Sequence, residues 1–144
     1  MKKLHFLVLI FFAFHMVNAY PQLPDKEKKE AKKAYNYAVE YINQGNFENA
    51  IGYLDSALSY DKTFIQAHLA KAKAQVEIGK INRALESFKI ITELEPSLGE
   101  PFFYLGYLRI KDKKDSSAKD LISEAIEKGY KKSQAYYYRG LLNL

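Results

Sequence analysis

The sequence predicts an all-α fold in which pairs of antiparallel helices follow one another along the chain. From residue 31 onward, apolar residues recur at three- and four-residue steps, which is the helical period. Small residues also return in one column every 34 residues, at Ala38, Ala72, Gly106 and Gly140. An ordinary helical bundle would not hold this phase, so the repeat predicts a stacked array with one helix pair in each unit.

The first segment, residues 1–19, differs from the rest of the chain. Lys2 and Lys3 precede a run that is almost wholly apolar as far as Val17, and Ala19 supplies a small residue at its end. This pattern is typical of a secretory signal peptide cleaved after Ala19. The run is shorter than the ~20 apolar residues of a spanning helix, so we expect no membrane span after cleavage. An uncleaved anchor is the alternative.

Composition narrows the classes of function. The chain has 144 residues, of which 48% are hydrophobic and 27% charged, as in a folded protein. Its formal charge of +5 falls to +3 without Lys2 and Lys3, so we expect no nucleic-acid partner. The absence of Cys excludes disulfides, thiolate metal sites and lipid attachment of the bacterial lipoprotein type. We therefore expect an exported protein, periplasmic or secreted, in a bacterial cell envelope.

The units can be placed in chain order. Residues 20–30 are a linker or the start of the first helix, and three units follow at 31–64, 65–98 and 99–132. Residues 133–144 form the first helix of a fourth unit or a capping helix. In the second unit we predict helices over 64–78 and 81–94. Gly79, like Gly45 in the first unit, would turn the chain between the two helices, and Gly99 would mark the end of the second unit.

Small and large residues alternate in the predicted interfaces between helices. A mid-helix glycine such as Gly106 costs about 1 kcal/mol relative to alanine, so another helix must pass close to it. The second helices carry a matching column of small residues at Ala50, Ala84 and Ala118. Beside it we expect a column of large residues, Leu54, Phe88 and Ile122, to fill the core.

This arrangement resembles the tetratricopeptide-repeat family over residues 31–132. The second unit is the most similar, through Ala72, Gly79, Ala84, Phe88 and Pro96. The chain departs from the family pattern where large residues or tyrosine are usual, at Ala34, His68, Gln75 and Arg109. The resemblance implies a right-handed solenoid whose first helices line a concave groove.

By the same resemblance, the groove binds a peptide or helix of a partner protein. The residues we expect to form it are Tyr35, Leu69, Lys73, Phe103, Tyr104, Tyr107 and Tyr138. An apolar column at Ile42, Val76 and Ile110 would face solvent beside them. Alternatively, several of these tyrosines pack between adjacent helices. Some members of the family bind carboxylates through a clamp built from Lys, Asn and Arg. The corresponding positions here are Tyr35, Val39, Ala70, Glu100 and Tyr104, so we expect no clamp.

Little in the sequence points to catalysis, so we expect no enzyme, metal or cofactor. His68 is the only histidine after residue 19, and we interpret it as a packed residue at a helix interface. The serines lack a partner base, and the seven glycines form no phosphate-binding loop. The prediction is a non-catalytic protein-interaction scaffold in an envelope assembly.

Residues 133–144 carry two alternatives. The segment is apolar on more than one face, whereas the last helix of an array needs a polar outer side. Either the natural chain continues, as the N-terminal module of a longer multidomain envelope protein, or this helix drives formation of a homo-oligomer.

Overall fold

The computed structural model describes residues 23–111 and 117–142, and over these residues the regular elements are all α-helices. Outside the described residues lie the predicted signal peptide at 1–19 and the turn of the third unit around Lys113. The seven helices, in chain order, are α1 (Asp25–Asn43), α2 (Phe47–Tyr60), α3 (Ile65–Glu77), α4 (Ile81–Leu94), α5 (Gly99–Lys111), α6 (Ser117–Glu127) and α7 (Ser133–Leu141).

Each helix packs mainly against the helices that precede and follow it in the chain. The pairs α1–α2, α3–α4 and α5–α6 form the units, and α7 packs on α6. The observed α3 and α4 confirm the helices predicted over 64–78 and 81–94 to within a residue. The helix α1 already begins at Asp25, so most of the mixed-charge run at 25–33 is the exposed first part of a long helix.

The turns after α1 and α3 are built on glycines with a positive φ. Gly45 and Gly79 both have φ of 72°, a conformation that side chains disfavour. After Gly79, the Lys80 amide donates to the Gln75 carbonyl over 2.8 Å, which closes the end of α3. The prediction of the same turn in the first two units is confirmed.

The helices approach one another most closely at the small residues. A Cβ atom added to Gly106 would lie 2.7 Å from Ile122 Cγ1 and 2.8 Å from the Ala118 carbonyl oxygen. Ala38 and Ala72, in the same repeat column, are fully buried. This confirms that another helix passes close to the column at Ala38, Ala72 and Gly106. At Gly140 the prediction is wrong, because a Cβ atom added there would meet nothing within 4 Å.

Gly99 corrects one expectation. We expected it to mark the end of a unit, but it is the first residue of α5 and is buried. A Cβ atom at this position would overlap the Ala125 carbonyl oxygen of α6. Gly99 is therefore a second site of close approach between α5 and α6.

The core of the described array consists of three clusters, one after another along the helix pairs. Its largest fully buried side chains include Leu54, Phe88 and Ile122, as predicted for the column of large residues. Tyr104 and Tyr107 pack against both the middle and the last core cluster, which joins the two. Each unit therefore buries apolar surface that it could not cover alone.

Two polar contacts explain residues that depart from the family pattern. Gln75 and Ser87 are 5% and 8% exposed, and the Ser87 hydroxyl donates to Gln75 Oε1 over 2.8 Å. His68 Nε2 lies 2.8 Å from the Lys62 carbonyl oxygen. This contact gives His68 a structural role at the turn between α2 and α3. Within residues 23–111 and 117–142, no helix is both long and apolar enough to cross a membrane.

Candidate functional groove

Two cavities lie side by side along the first helices of the units. The apolar cavity, of about 430 Å³, opens between α1 and α3, and the tyrosine cavity, of about 360 Å³, lies among α3, α5 and α7. Glu77 lines both cavities, so they adjoin. We call the two together the groove.

The apolar cavity has aliphatic and aromatic walls. Val39 and Ile42 face it from α1, and Leu69 faces it from α3. Tyr35 also lines it, and its ring centroid lies 5.1 Å from that of Phe64. The remaining residues of the lining are Phe47, Gln66, Ala70, Lys73, Ala74 and Glu77. The lining of this cavity is therefore mainly apolar.

The tyrosine cavity rests on a cluster of aromatic rings. Phe103 is only 3% exposed and stacks on Tyr130 with centroids 4.9 Å apart. Tyr107 also stacks on Phe103, with centroids 6.0 Å apart, and meets Tyr138 edge-on at 5.1 Å. Burial raises the pKa of Tyr130 to about 12, so its hydroxyl stays protonated at neutral pH. The rings of Phe103, Tyr107, Tyr130 and Tyr138 therefore support one another beside the cavity.

Tyr104 contacts both a buried aromatic ring and a charged side chain of the groove. Its ring lies parallel to that of Phe88 at 4.7 Å, and the Lys73 ammonium lies 5.6 Å from its centroid. The same ammonium forms an ion pair with Glu100 at 2.5 Å. Burial raises the pKa of Tyr104; Lys73 opposes that shift, and Glu100 and Glu77 add to it. These contacts hold Tyr104 and Lys73 in fixed positions.

The structure brings all seven predicted groove residues to these two cavities. Tyr35, Leu69 and Lys73 line the apolar cavity, and the four aromatic residues line the tyrosine cavity. Several of the rings also pack between helices, as the alternative expectation for the tyrosines has it. Phe103 offers little surface to a ligand because it is almost fully buried. That any of these residues binds a peptide stays a prediction.

The apolar column takes a different place from the expected one. Ile42, Val76 and Ile110 are half-buried, and each packs against one of the three core clusters. Ile42 lines the apolar cavity, Val76 lines the tyrosine cavity and Ile110 lines neither, so the three do not form a strip that faces solvent. Sequence reasoning missed Phe47, which reaches the apolar cavity from α2, because it considered only the first helix of each unit.

Residues that could hold a metal ion do not cluster in the described part of the chain. No group of three or more His, Asp or Glu side chains there has a suitable arrangement. The groove thus offers apolar surface, phenol groups and a few charges.

A comparison with protein-family models identifies the repeats directly. Residues 41–99 match the model described as tetratricopeptide repeat. These residues are therefore tetratricopeptide repeats. A search of curated protein sequences found no match.

Solved structures of tetratricopeptide-repeat proteins share the fold. The first tetratricopeptide-repeat domain of Spaghetti (RPAP3), bound to the HSP90 peptide SRMEEVD, superposes with a TM-score of 0.76. It is 17% identical, and the match covers 85% of this chain and 96% of that one. MamA has a TM-score of 0.72 and 24% identity, over 79% of this chain and 62% of its own.

YrrB, described as a tetratricopeptide-repeat protein with an unusual peptide-binding site, has a TM-score of 0.70 and 17% identity. The match covers 77% of this chain and 57% of that one. This chain therefore spans about three fifths of the length of MamA and of YrrB. At these identities the similarity establishes the fold of this tetratricopeptide-repeat array and leaves its ligand open.

Proposed function

We propose that this chain is a non-catalytic protein-interaction module that takes a peptide or helix of a partner into the groove. The observation that carries the proposal is the pair of adjoining cavities along α1, α3 and α5, where apolar and aromatic side chains surround open space. Burying an apolar side chain there would contribute about 1.5–3 kcal/mol. The solved relatives described as peptide-bound or peptide-binding support this choice.

We also propose that the protein acts outside the cytoplasm. The pattern of residues 1–19 supports export, and the partner would then belong to a cell-envelope assembly. The chain would act there alone or as the N-terminal module of a longer envelope protein. N-terminal sequencing of the protein isolated from cell fractions tests this. A mature chain that starts at Tyr20 is expected, and a cytoplasmic chain that retains Met1 would contradict it.

Replacing Leu69 by glutamate is expected to lower recovery of groove-bound partners at least tenfold. The change places a carboxylate against the apolar wall of the cavity, where desolvating it costs several kcal/mol. The measurement is a quantitative pull-down from envelope extract with the wild-type chain and with Leu69→Glu.

Leu94→Glu is the matched control, because Leu94 is 40% exposed on α4 and lines neither groove cavity. Circular dichroism establishes that both variants remain folded. If wild type and Leu69→Glu recover every partner equally, the groove is not the binding site.

A second candidate function is self-association through α7. This helix leaves Tyr136, Tyr137 and Leu141 exposed by 42%, 62% and 46%. Pairing two such faces would cover apolar surface that the array itself does not cover. The expected result is a mass in light scattering that rises with concentration and falls to the monomer in Leu141→Glu. A monomer at all concentrations would exclude this function.

A further inference from the structure

The two charged residues that line the groove, Lys73 and Glu77, differ in whether they form an ion pair within the protein. Lys73 forms its ion pair with Glu100 and lies over the ring of Tyr104, so its charge is satisfied within the protein. Glu77 is exposed and has no ion-pair partner among the described residues. It lines both cavities, so its carboxylate is the uncompensated charge at the centre of the groove.

The position of Glu77 on its helix strengthens its negative potential. Glu77 is the last residue of α3, and the last turn of α3 contains no basic residue. A helix carries a partial negative charge at its C-terminus because its peptide dipoles are aligned along the axis. The negative potentials of the carboxylate and of the helix end therefore add, and both favour a cation at this end of the groove.

The residues of the tyrosine cavity beside Glu77 are of the kinds that bind a planar cation. Tyr107 and Tyr138 contribute aromatic rings, and Gln134 contributes an amide at the rim. Aromatic rings attract cations through their electron-rich faces, as the Lys73 ammonium over Tyr104 already illustrates. A guanidinium group stacks on aromatic rings and pairs with a carboxylate through two parallel hydrogen bonds.

We propose that the tyrosine cavity binds an arginine side chain of the partner peptide, with Glu77 as its counter-ion. The neighbouring apolar cavity then takes an apolar side chain of the same peptide. This inference rests on the proposed function of the groove and names the chemistry of its ligand. Arginine is preferred to lysine because its guanidinium is planar and more weakly hydrated.

The same charges disfavour an acidic ligand. A peptide carboxylate placed in the tyrosine cavity would meet Glu77 without a free cation from Lys73, and like charges brought together in an interface are repulsive. The expected specificity is therefore opposite in charge to the acidic peptide SRMEEVD in the RPAP3 structure. This holds although the whole chain is basic, since Glu77 is the charged residue in the lining of the tyrosine cavity.

A random-peptide phage library selected on the full chain tests the inference. Wild-type protein is expected to enrich peptides that combine arginine with a large apolar residue. Glu77→Gln is expected to lose the arginine enrichment, and Glu77→Lys is expected to enrich acidic residues instead. Glu93→Gln, an exposed carboxylate on α4 outside both cavities, is the matched control and should select the same peptides as wild type.

The contribution of the guanidinium–Glu77 pair is then measured by comparing the affinity of a selected peptide with that of its citrulline version. Citrulline replaces the guanidinium by a neutral group of the same shape. Citrulline is expected to weaken binding to wild type by about tenfold or more, and to leave binding to Glu77→Gln nearly unchanged. An equal loss in both proteins would overturn the role of Glu77.

The outcomes separate the two proposals. Peptides that need Leu69 but show no arginine preference would overturn the inference on Glu77 and keep the groove. Peptides that bind Leu69→Glu as well as wild type, or a library that yields no binder, would count against the groove itself and against the arginine site with it.

Discussion

Gly106→Leu is expected to lower the free energy of unfolding by about 3 kcal/mol, or to prevent the α5–α6 pair from folding. The first atom of any side chain at this position would lie 2.7 Å from Ile122 Cγ1 and 2.8 Å from the Ala118 carbonyl. The second contact is with backbone, which cannot move aside without displacing α6. Overpacking of this kind typically costs about 1–3 kcal/mol, and leucine adds three more carbon atoms to the clash. Urea unfolding followed by circular dichroism measures the change.

Glycine-to-alanine substitutions provide the matched comparison. Gly52 lies inside α2, and a Cβ atom added there meets nothing within 4 Å, so Gly52→Ala should stabilise the protein by about 0.5–1 kcal/mol. Gly106→Ala gains the same helix propensity but must push the two helices apart, so it should destabilise. If both alanine substitutions stabilise the chain, the close approach of α5 and α6 is wrong.

Phe88→Ala is expected to cost about 3–5 kcal/mol of stability, the range for removing a buried aromatic side chain. Phe88 is fully buried in the middle core cluster and stacks on Tyr104 with centroids 4.7 Å apart. The substitution should also weaken binding in the tyrosine cavity, because Tyr104 loses the ring that fixes its orientation. Thermal and urea unfolding measure the first effect, and affinity for a peptide selected on wild type measures the second.

Leu94→Ala is the control on the same helix. Leu94 is 40% exposed, so removing its side chain leaves no cavity and should cost less than about 1 kcal/mol. An equally small loss in Phe88→Ala would mean that α4 and α5 are not packed together through this ring.

Most of the fold could be predicted because its determinants are local and repeated. Ala38, Ala72 and Gly106 recur with one period, and small residues that return at the same place in successive units indicate a close helix contact. The helix ends were predictable for a similar reason, since Gly45 and Gly79 adopt a backbone conformation that other residues disfavour. Gly99 was misassigned because glycine serves both turns and close contacts, and its spacing does not distinguish the two.

The candidate site was predictable only as a list of residues. Helical spacing places Tyr35, Leu69 and Tyr107 on one side of their helices, and all three do line the cavities. The same spacing also selected Phe103, which the structure buries beneath the other rings. A groove residue and an interface residue share one face of a helix, so the pattern alone does not separate them.

The sequence by itself therefore determined a stacked array of helix pairs, because one phase of small and large residues can bury a continuous core in only that way. The tertiary structure decided which side chains remain available to a ligand. It pairs Lys73 with Glu100, two residues from different units, and leaves Glu77 exposed between the cavities. Ion pairs and ring stacks form between residues that are distant in the chain, so local spacing contains no information about which partner each side chain meets.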